Sequence, residues 1–458
     1  MEIIKVAITL VLFVIVLFLL NKKFAPAVTL TAVGFVAIVI GVLINGYDLL
    51  EDKTTGILLF DVFEYFRASP VVNTLGTMGV RIMSILAYVA YMEHLKATKM
   101  FALIVSKPIM MIKNKPLLAA GVFILTALLI IAIPNGTGRM AILLGTVYPV
   151  MLACGVSRPT AAVAIFAGAM YSWGPINPKI LTAAAYMGTE VNMAEYFLTV
   201  EWMWDIIALG VGAVVFVITS RFFDKRENAS AGEGVFSGLS VESLGAPKWY
   251  AILPLVPVVF IIIFGGSIPG LPKLEIAAIQ FMCFFFVLLF ITIISKNKKE
   301  AWNDGTVFFT NMGTAMGRIV MVMIAALTFG AGITALGGIN VIMQPVMEMG
   351  GTNPAIFIVL TAVLAVIVGA ISASDYVSNS ILGPVYTSFA ESTGVNIYAL
   401  LMIPVNAVQM SIAFTPATAH VALISEGAEV PINTIIKRAA LPVFCSIIVY
   451  VVGAVVMA

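Results

Sequence analysis

Charge is what this chain has least of. Only 10% of its 458 residues are Asp, Glu, Lys or Arg, and two are histidine. A soluble domain carries about 25% charged residues, and no soluble core accounts for the shortfall. With 61% hydrophobic residues and a mean hydropathy of +1.09, the chain reads as an all-α polytopic membrane protein whose partner is the lipid bilayer. Cysteine is scarce too. Cys154, Cys283 and Cys445 lie inside apolar segments, where thiols behave as small hydrophobes, and neither a disulfide framework nor a CxxC metal pair exists. No cofactor is expected. The net charge of +2 and the lack of a basic run give no reason to expect nucleic acid. An intramembrane enzyme is also disfavoured: there is no HExxH or GxSxG, only His94 and His420 exist, and Asp48 has no GxGD partner.

What is present is a succession of apolar runs. At roughly 20 residues per span, helices fall near 3–20, 26–45, 70–92, 158–189 (broken), 202–220, 249–265, 275–295, 310–335, 397–425 (broken) and 434–457. The first of these lacks a small-residue cleavage site before Asn21-Lys22-Lys23 and reads as a span rather than a signal peptide. Two further regions, 116–155 and 353–392, are interrupted by polar tips. The second arm of the latter, Asn379–Ser392, is too short to cross about 30 Å of hydrocarbon at 1.5 Å per residue. Both regions are therefore expected to be re-entrant hairpins. Segments 97–112 and 337–349 read as interfacial connectors.

A polar linker, 221–248, divides an internal repeat, 1–220 against 249–458. Leu75-Gly76-Thr77-Met78-Gly79-Val80-Arg81-Ile82 is echoed by Met312-Gly313-Thr314-Ala315-Met316-Gly317-Arg318-Ile319, Leu144-Gly145-Thr146-Val147-Tyr148 by Leu382-Gly383-Pro384-Val385-Tyr386, and Gly212-Ala213-Val214-Val215 by Gly453-Ala454-Val455-Val456. Lys96, Lys99, Lys107, Lys113 and Lys115 mark the connector before the first hairpin as cytoplasmic, whereas 337–352 carries Glu348 and no Lys or Arg. Lys22/Lys23, Arg221/Lys225/Arg226 and Lys296/Lys298/Lys299 also fall inside, acidic Asp48–Glu64 outside, and both termini outside. The repeats are thus inverted, which places a transporter's substrate site near the midplane.

Four interruptions then converge: Ile133-Pro134-Asn135-Gly136-Thr137-Gly138-Arg139, Ser172-Trp173-Gly174-Pro175-Ile176-Asn177-Pro178-Lys179, Ser372-Ala373-Ser374-Asp375-Tyr376-Val377-Ser378-Asn379-Ser380, and Phe414-Thr415-Pro416-Ala417-Thr418. Non-helical backbone at membrane depth is tolerated only where it is buried in protein or lines a wet cavity. An arginine there, costing about 2.5–3.5 kcal/mol on insertion scales, should be paired or touch a ligand. Asn135, Gly136, Thr137, Gly138 and Arg139 of the first tip and Ser374, Asp375, Ser378 and Asn379 of the second are expected to face substrate. Asn177, Thr415 and Thr418 complete the site, or a coupling-cation site (Na+ or H+) near Asn135, Asn177, Ser374, Asp375 and Thr415. Arg139 supplies charge-assisted hydrogen bonds to a carboxylate, or else pairs with a carbonyl or with Asp375. Asp375 is a proton site, a cation ligand, a substrate-amine partner or a structural counter-ion. Lys179 either contacts ligand or snorkels. His420 reads as a packing residue, and Arg81 and Arg318, at one repeat position, as structural or hinge residues.

Tyr91-Met92-Glu93-His94, Ser106-Lys107-Pro108, Gly155-Val156-Ser157-Arg158 with Ala161-Ala162, and Ala246-Pro247-Lys248-Trp249-Tyr250-Ala251-Ile252-Leu253-Pro254 resemble the anaerobic four-carbon-dicarboxylate carriers of the DcuC family. Thr137-Gly138 and Thr415-Pro416 fit as well. The resemblance implies the ion-transporter superfamily fold, with a dimerising scaffold, a mobile elevator domain, and substrates such as succinate or fumarate. The chain departs from that pattern in its charges. The family's first tip is Ser-rich without an arginine, its arginine before the second break is replaced here by Met410-Ser411-Ile412-Ala413, and Asp375 stands where the family's second tip is expected to be Gly/Ser/Asn-rich. The expected function is a secondary-active, homodimeric elevator carrier of small carboxylates, most simply C4-dicarboxylates, in the bacterial cytoplasmic membrane. Rivals are the same fold carrying an amino acid or other zwitterionic or monocarboxylate substrate, and a channel.

Overall fold

The structure is a computed structural model. It describes residues 2–22, 24–46, 55–227, 244–266, 268, 270–337, 353–372, 375–416 and 418–458. The connector 338–352, most of the linker and Ser374 therefore lie outside the described residues. Among the described residues there is no strand, and eight helices are long and apolar enough to cross a membrane. The chain is a multi-pass membrane protein.

The first half begins with α1 (Glu2–Asn21) and α2 (Pro26–Asn45). The missing N–H of Pro26 is harmless in the first turn, and α2 stops at Gly46, whose φ of 64° is left-handed. Next, α3 (Leu58–His94) is 37 residues long and widens into π turns at Arg67–Asn73 and Leu75–Gly79. Pro70 lies in the first of these and has no N–H to give. After α4 (Ala97–Met110), α5 (Lys115–Leu128) and α6 (Gly136–Thr146) form a helical hairpin, followed by α7 (Tyr148–Ala153). α8 (Arg158–Ala169) and α9 (Pro178–Tyr186) are the two pieces of a broken helix, and α10 (Met193–Arg226) closes the half.

The second half follows the same order. α11 (Lys248–Phe264) and α12 (Ile276–Ile294) lead into α13 (Lys298–Leu336), which has its own π turn at Met316–Val320. The hairpin is α14 (Pro354–Ser372) and α15 (Asp375–Thr393), the broken helix α16 (Ile397–Phe414) and α17 (Ala419–Ala428), and the closing helix α18 (Ile432–Met457). α15 starts at Asp375, four residues before the expected arm, and runs 19 residues, about 28 Å at 1.5 Å per residue. Its length alone therefore does not force a return. The polar residues at its start are helical because their partners lie elsewhere in the fold: Lys179 for Asp375, Ala365 O for Ser378 and Pro404 O for Asn379.

Two bundles result, and each draws on both halves. In the first, α2 lies against α13 at backbone distance: a Cβ at Gly34 would stand 2.8 Å from Phe329 N, one at Gly41 2.6 Å from Ala335 C, and one at Gly332 2.6 Å from Gly34 O. Small residues permit such approach, which in lipid is the main source of helix–helix adhesion. Asn45 Nδ2 donates to Ala335 O (2.8 Å), capping the end of α13, and Phe284 of α12 stacks on Phe308 of α13 (4.1 Å). In the second bundle α10 and α18 pack reciprocally, a Cβ at Gly212 falling 2.6 Å from Ser446 Oγ and one at Gly453 2.6 Å from Trp204. At one end of this pair the buried Arg438 donates to Asp224 (2.6 Å), Glu227 (2.6 Å) and Thr160 Oγ1 (3.2 Å), tying α18, α10 and α8 together. The hydrogen bond from Arg438 holds the Glu227 carboxyl below its usual range.

Candidate functional site

Each half leaves two short helices that begin at an interruption, and these pair across the halves. α6 lies along α17, with His420 Nε2 3.1 Å from a Cβ placed on Gly136, Leu144 against Gly427, and the Tyr148 hydroxyl donating to Ala428 O (2.9 Å). α15 lies along α9, with Asp375 at Lys179, Gly383 against the Tyr186 carbonyl, and Thr387 Oγ1 donating to Met187 O. Each pair runs parallel, so all four helices start at one place. That place is a cavity of about 430 Å³, lined at these starts by Pro134, Asn135 and Gly136, by Asn177, Pro178 and Lys179, by Asp375 and Tyr376, and by Thr418, Ala419 and His420.

The local sequence explains the starts. Asn135 Oδ1 accepts from Thr137 N–H (3.2 Å) and Thr137 Oγ1 (2.7 Å), Asn177 Oδ1 from Lys179 N–H (3.1 Å), and Thr418 Oγ1 from Val421 N–H (3.4 Å). All three are N-caps with extended backbone. A helix start presents unpaired N–H groups and the positive end of the macrodipole, so four of them around one cavity make it attractive to anions.

Six of the expected site residues line the cavity: Asn135, Gly136, Arg139, Asn177, Asp375 and Thr418. Thr137, Gly138, Ser378, Asn379 and Thr415 are not among its lining residues. Thr137 bonds to its own cap, a Cβ on Gly138 would stand 3.3 Å from Glu93, Ser378 Oγ donates to Ala365 O (2.8 Å), and Asn379 Nδ2 donates to Pro404 O (3.2 Å). Arg139 is buried, and its guanidinium donates to four carbonyls: Thr126 (3.1 Å), Ala127 (3.5 Å), Ala169 (2.9 Å) and Tyr171 (3.2 Å). It thereby closes the ends of α5 and α8. Asp375 pairs instead with Lys179 Nζ (2.5 Å), which also donates to Gln409 and lies 5.9 Å from the Tyr376 ring centroid.

Lys179 is thus a cation reaching the cavity, half-buried and held by side chains rather than by backbone. A lysine just after an Asn-Pro break within an apolar run was the signal for it. Nothing in the sequence marked Gln409 or Tyr171. His420 lines the cavity as well as packing on Gly136.

A family model described as a C4-dicarboxylate anaerobic carrier, DcuC, matches residues 4–458. The chain belongs to the DcuC family. It is similar to the probable anaerobic C4-dicarboxylate transporter DcuC of Vibrio cholerae, 26% identical over 446 residues that cover 95% of this chain and 94% of the relative. It is also similar to the anaerobic C4-dicarboxylate transporter DcuC of Escherichia coli (strain K12), 24% identical over 426 residues, 92% of this chain and 90% of the relative. Among solved structures, the YdaH transporter of Alcanivorax borkumensis superposes with a TM-score of 0.62 at 14% identity, covering 94% of this chain and 98% of its own. MtrF of Neisseria gonorrhoeae superposes with a TM-score of 0.55 at 11% identity, covering 96% of each chain. These two likenesses establish the fold alone. The DcuC family and its members above are transporters, so this chain is a transporter and not an enzyme.

Proposed function

We propose that the protein is a secondary-active carrier of C4-dicarboxylates such as succinate or fumarate in the bacterial cytoplasmic membrane. The observation that carries this reading is the convergence of four helix N-termini and Lys179 on one cavity of about 430 Å³. A diacid needs positive potential at two ends, and crossed pairs of helix starts supply it from both halves of the chain. The family name and the V. cholerae and E. coli relatives point to the same substrate class.

In this reading the backbone N–H groups at Asn135–Gly136 and Thr418 meet carboxylate oxygens, while the start at Asn177, whose own N–H donates to Gly174 O (3.0 Å), contributes Lys179. Lys179 exchanges Asp375 for a substrate carboxylate, so Asp375 neutralises the lysine when the site is empty. Arg139, Thr137, Ser378 and Asn379 act one layer back, holding the tips in shape. Asp375 is already satisfied by Lys179, which disfavours the amino-acid alternative, where it would meet an amine. The hairpins are re-entrant, the halves 1–220 and 249–458 are inverted repeats joined by the cytoplasmic linker 221–248, and both termini lie outside. The second bundle moves as an elevator against the first, through which the protein dimerises. The cation site expected near Asn135, Asn177, Ser374, Asp375 and Thr415 has its two amide oxygens already accepting N–H groups, which favours coupling by protons or by exchange.

The test is a thermal-shift screen of the purified protein against dicarboxylates, monocarboxylates and amino acids, with and without sodium. A ligand stabilises by RT ln(1 + [L]/Kd), about 2.7 kcal/mol at 100 Kd. Stabilisation by succinate or fumarate above the other classes is expected. Stabilisation by amino acids with none by diacids would end the proposal.

A further inference from the structure

Behind the cavity, on the far side of the first broken helix, lies a second group of buried polar side chains. Glu201 and Asp205, four residues apart on one face of α10, are each 1–2% exposed, as is Asn406 of α16. Glu201 Oε2 accepts the Gly174 N–H (3.0 Å), and Asp205 Oδ1 accepts the Tyr450 hydroxyl (2.7 Å). Among the described residues, Glu201 Oε1, Asp205 Oδ2, both amide atoms of Asn406 and the Tyr196 hydroxyl have no hydrogen-bond partner. Nor, among those residues, does a lysine or arginine pair with either carboxylate. The titratable groups facing them are tyrosines: Tyr196 of α10, Tyr171 of the break and Tyr450 of α18.

Two carboxylates in a dry site cannot both stay ionised without a counter-charge, because desolvation and mutual repulsion act together. Asp205 corresponds, 241 residues on, to Ser446, which hydrogen-bonds to the Tyr171 hydroxyl (2.7 Å) and to Ala208 O (3.0 Å). One half of the pseudo-symmetric pair satisfies its polar group with neutral partners, while the other carries an acid. We propose that Glu201 and Asp205 share one exchangeable proton and form a proton-binding site that sets the geometry of the substrate cavity. Resting on the carrier reading above, this site holds the coupling proton.

Gly174 transmits the effect. Its φ of 107° lies in the left-handed region, open to glycine and strained for other residues, and its N–H is aimed at Glu201. An ionised Glu201 grips that N–H with a charge-assisted bond about twice as strong as the neutral one. Protonation therefore loosens the stretch whose other residues, Tyr171, Ser172, Asn177 and Pro178, line the cavity. Tyr171 sits at both ends of the link, its carbonyl on Arg139 and its hydroxyl on Ser446. A proton suits the site better than a metal ion. Among the described residues no group of three His, Cys, Asp or Glu is placed to hold one, and neither acid is among the lining residues of the cavity.

The direct test needs no substrate. Infrared difference spectra of the full-length protein in detergent, recorded across a pH step, should show a protonated-carboxyl band that is lost in Glu201→Gln/Asp205→Asn and unaffected by sodium. No such band in the wild type, or a band that sodium removes, overturns the proposal. In liposomes loaded with succinate, either single variant should lose at least about tenfold of uptake driven by a pH gradient, within the about 5–150-fold range of site-to-site coupling, and retain succinate exchange. Full gradient-driven uptake by both variants overturns the coupling role. Absence of any succinate transport by the wild type refutes the carrier reading instead, and leaves the infrared result to decide the proton site.

Discussion

The two hairpins look alike in outline and handle charge in opposite ways. In the first, the only charged side chain at the tip, Arg139, is turned back into protein and spent on four carbonyls at the ends of α5 and α8. In the second, Asp375 reaches out of its hairpin to a lysine on the other half of the chain, and that lysine is shared with Gln409. Carbonyls at a helix end lack the next intrahelical donor, and although Ala127 O also accepts from Trp173 Nε1 (3.2 Å), the Arg139 arrangement ties two helix ends together. In the carrier reading proposed above, the ion pair at the edge of the cavity is the contact that a substrate carboxylate competes for. One tip is built as a fixture, the other as a contact that can open.

Substitutions at three positions would sharpen that contrast or break it. The largest effect is expected at Arg139. Arg139→Ala removes at least two charge-assisted bonds, each worth about 1.5–3 kcal/mol, and should unfold the detergent-solubilised protein at markedly lower temperature. Arg139→Lys should recover only part of the loss, since an ammonium cannot fork between two helix ends. A stable, transport-dead Arg139→Ala would instead make the arginine a ligand for substrate.

At Lys179 the expectation is reversed. Lys179→Met should leave the melting temperature close to wild type while weakening dicarboxylate binding by about 10–150-fold, the equivalent of one charged hydrogen bond at 1.4 kcal/mol per tenfold. Unchanged binding measured by calorimetry would remove the lysine from the site. Asp375→Asn should have the smallest effect. Exchange should stay within about twofold of wild type, and net uptake, which requires the empty carrier to return with its lysine neutralised, should fall by about fivefold. Equal loss of both activities would place Asp375 on the substrate rather than on Lys179.

Much of the architecture was legible in the chain. Lipid makes every unpaired backbone group costly, so polar interruptions in apolar runs had to be functional or buried, and the four found in the sequence meet at one cavity. Asn135, Asn177 and Thr418 could be located because caps obey local rules. The partners of Arg139 and Asp375 could not. Arg139 is bound to carbonyls 12 and 13 residues before it and 30 and 32 after it, and Asp375 to a lysine 196 residues away. Those separations depend on how the halves cross.

By itself, then, the sequence determined that the chain is helical, membrane-borne and broken at four points, since these follow from hydropathy and from local backbone chemistry. Tertiary structure alone decided which broken ends pair, that α6 runs with α17 and α15 with α9, and that Glu201, Asp205 and Asn406 share one dry site. The physical reason is range. Hydrophobicity and capping act within a few residues, whereas a buried charge takes whichever partner the packed helices bring to it.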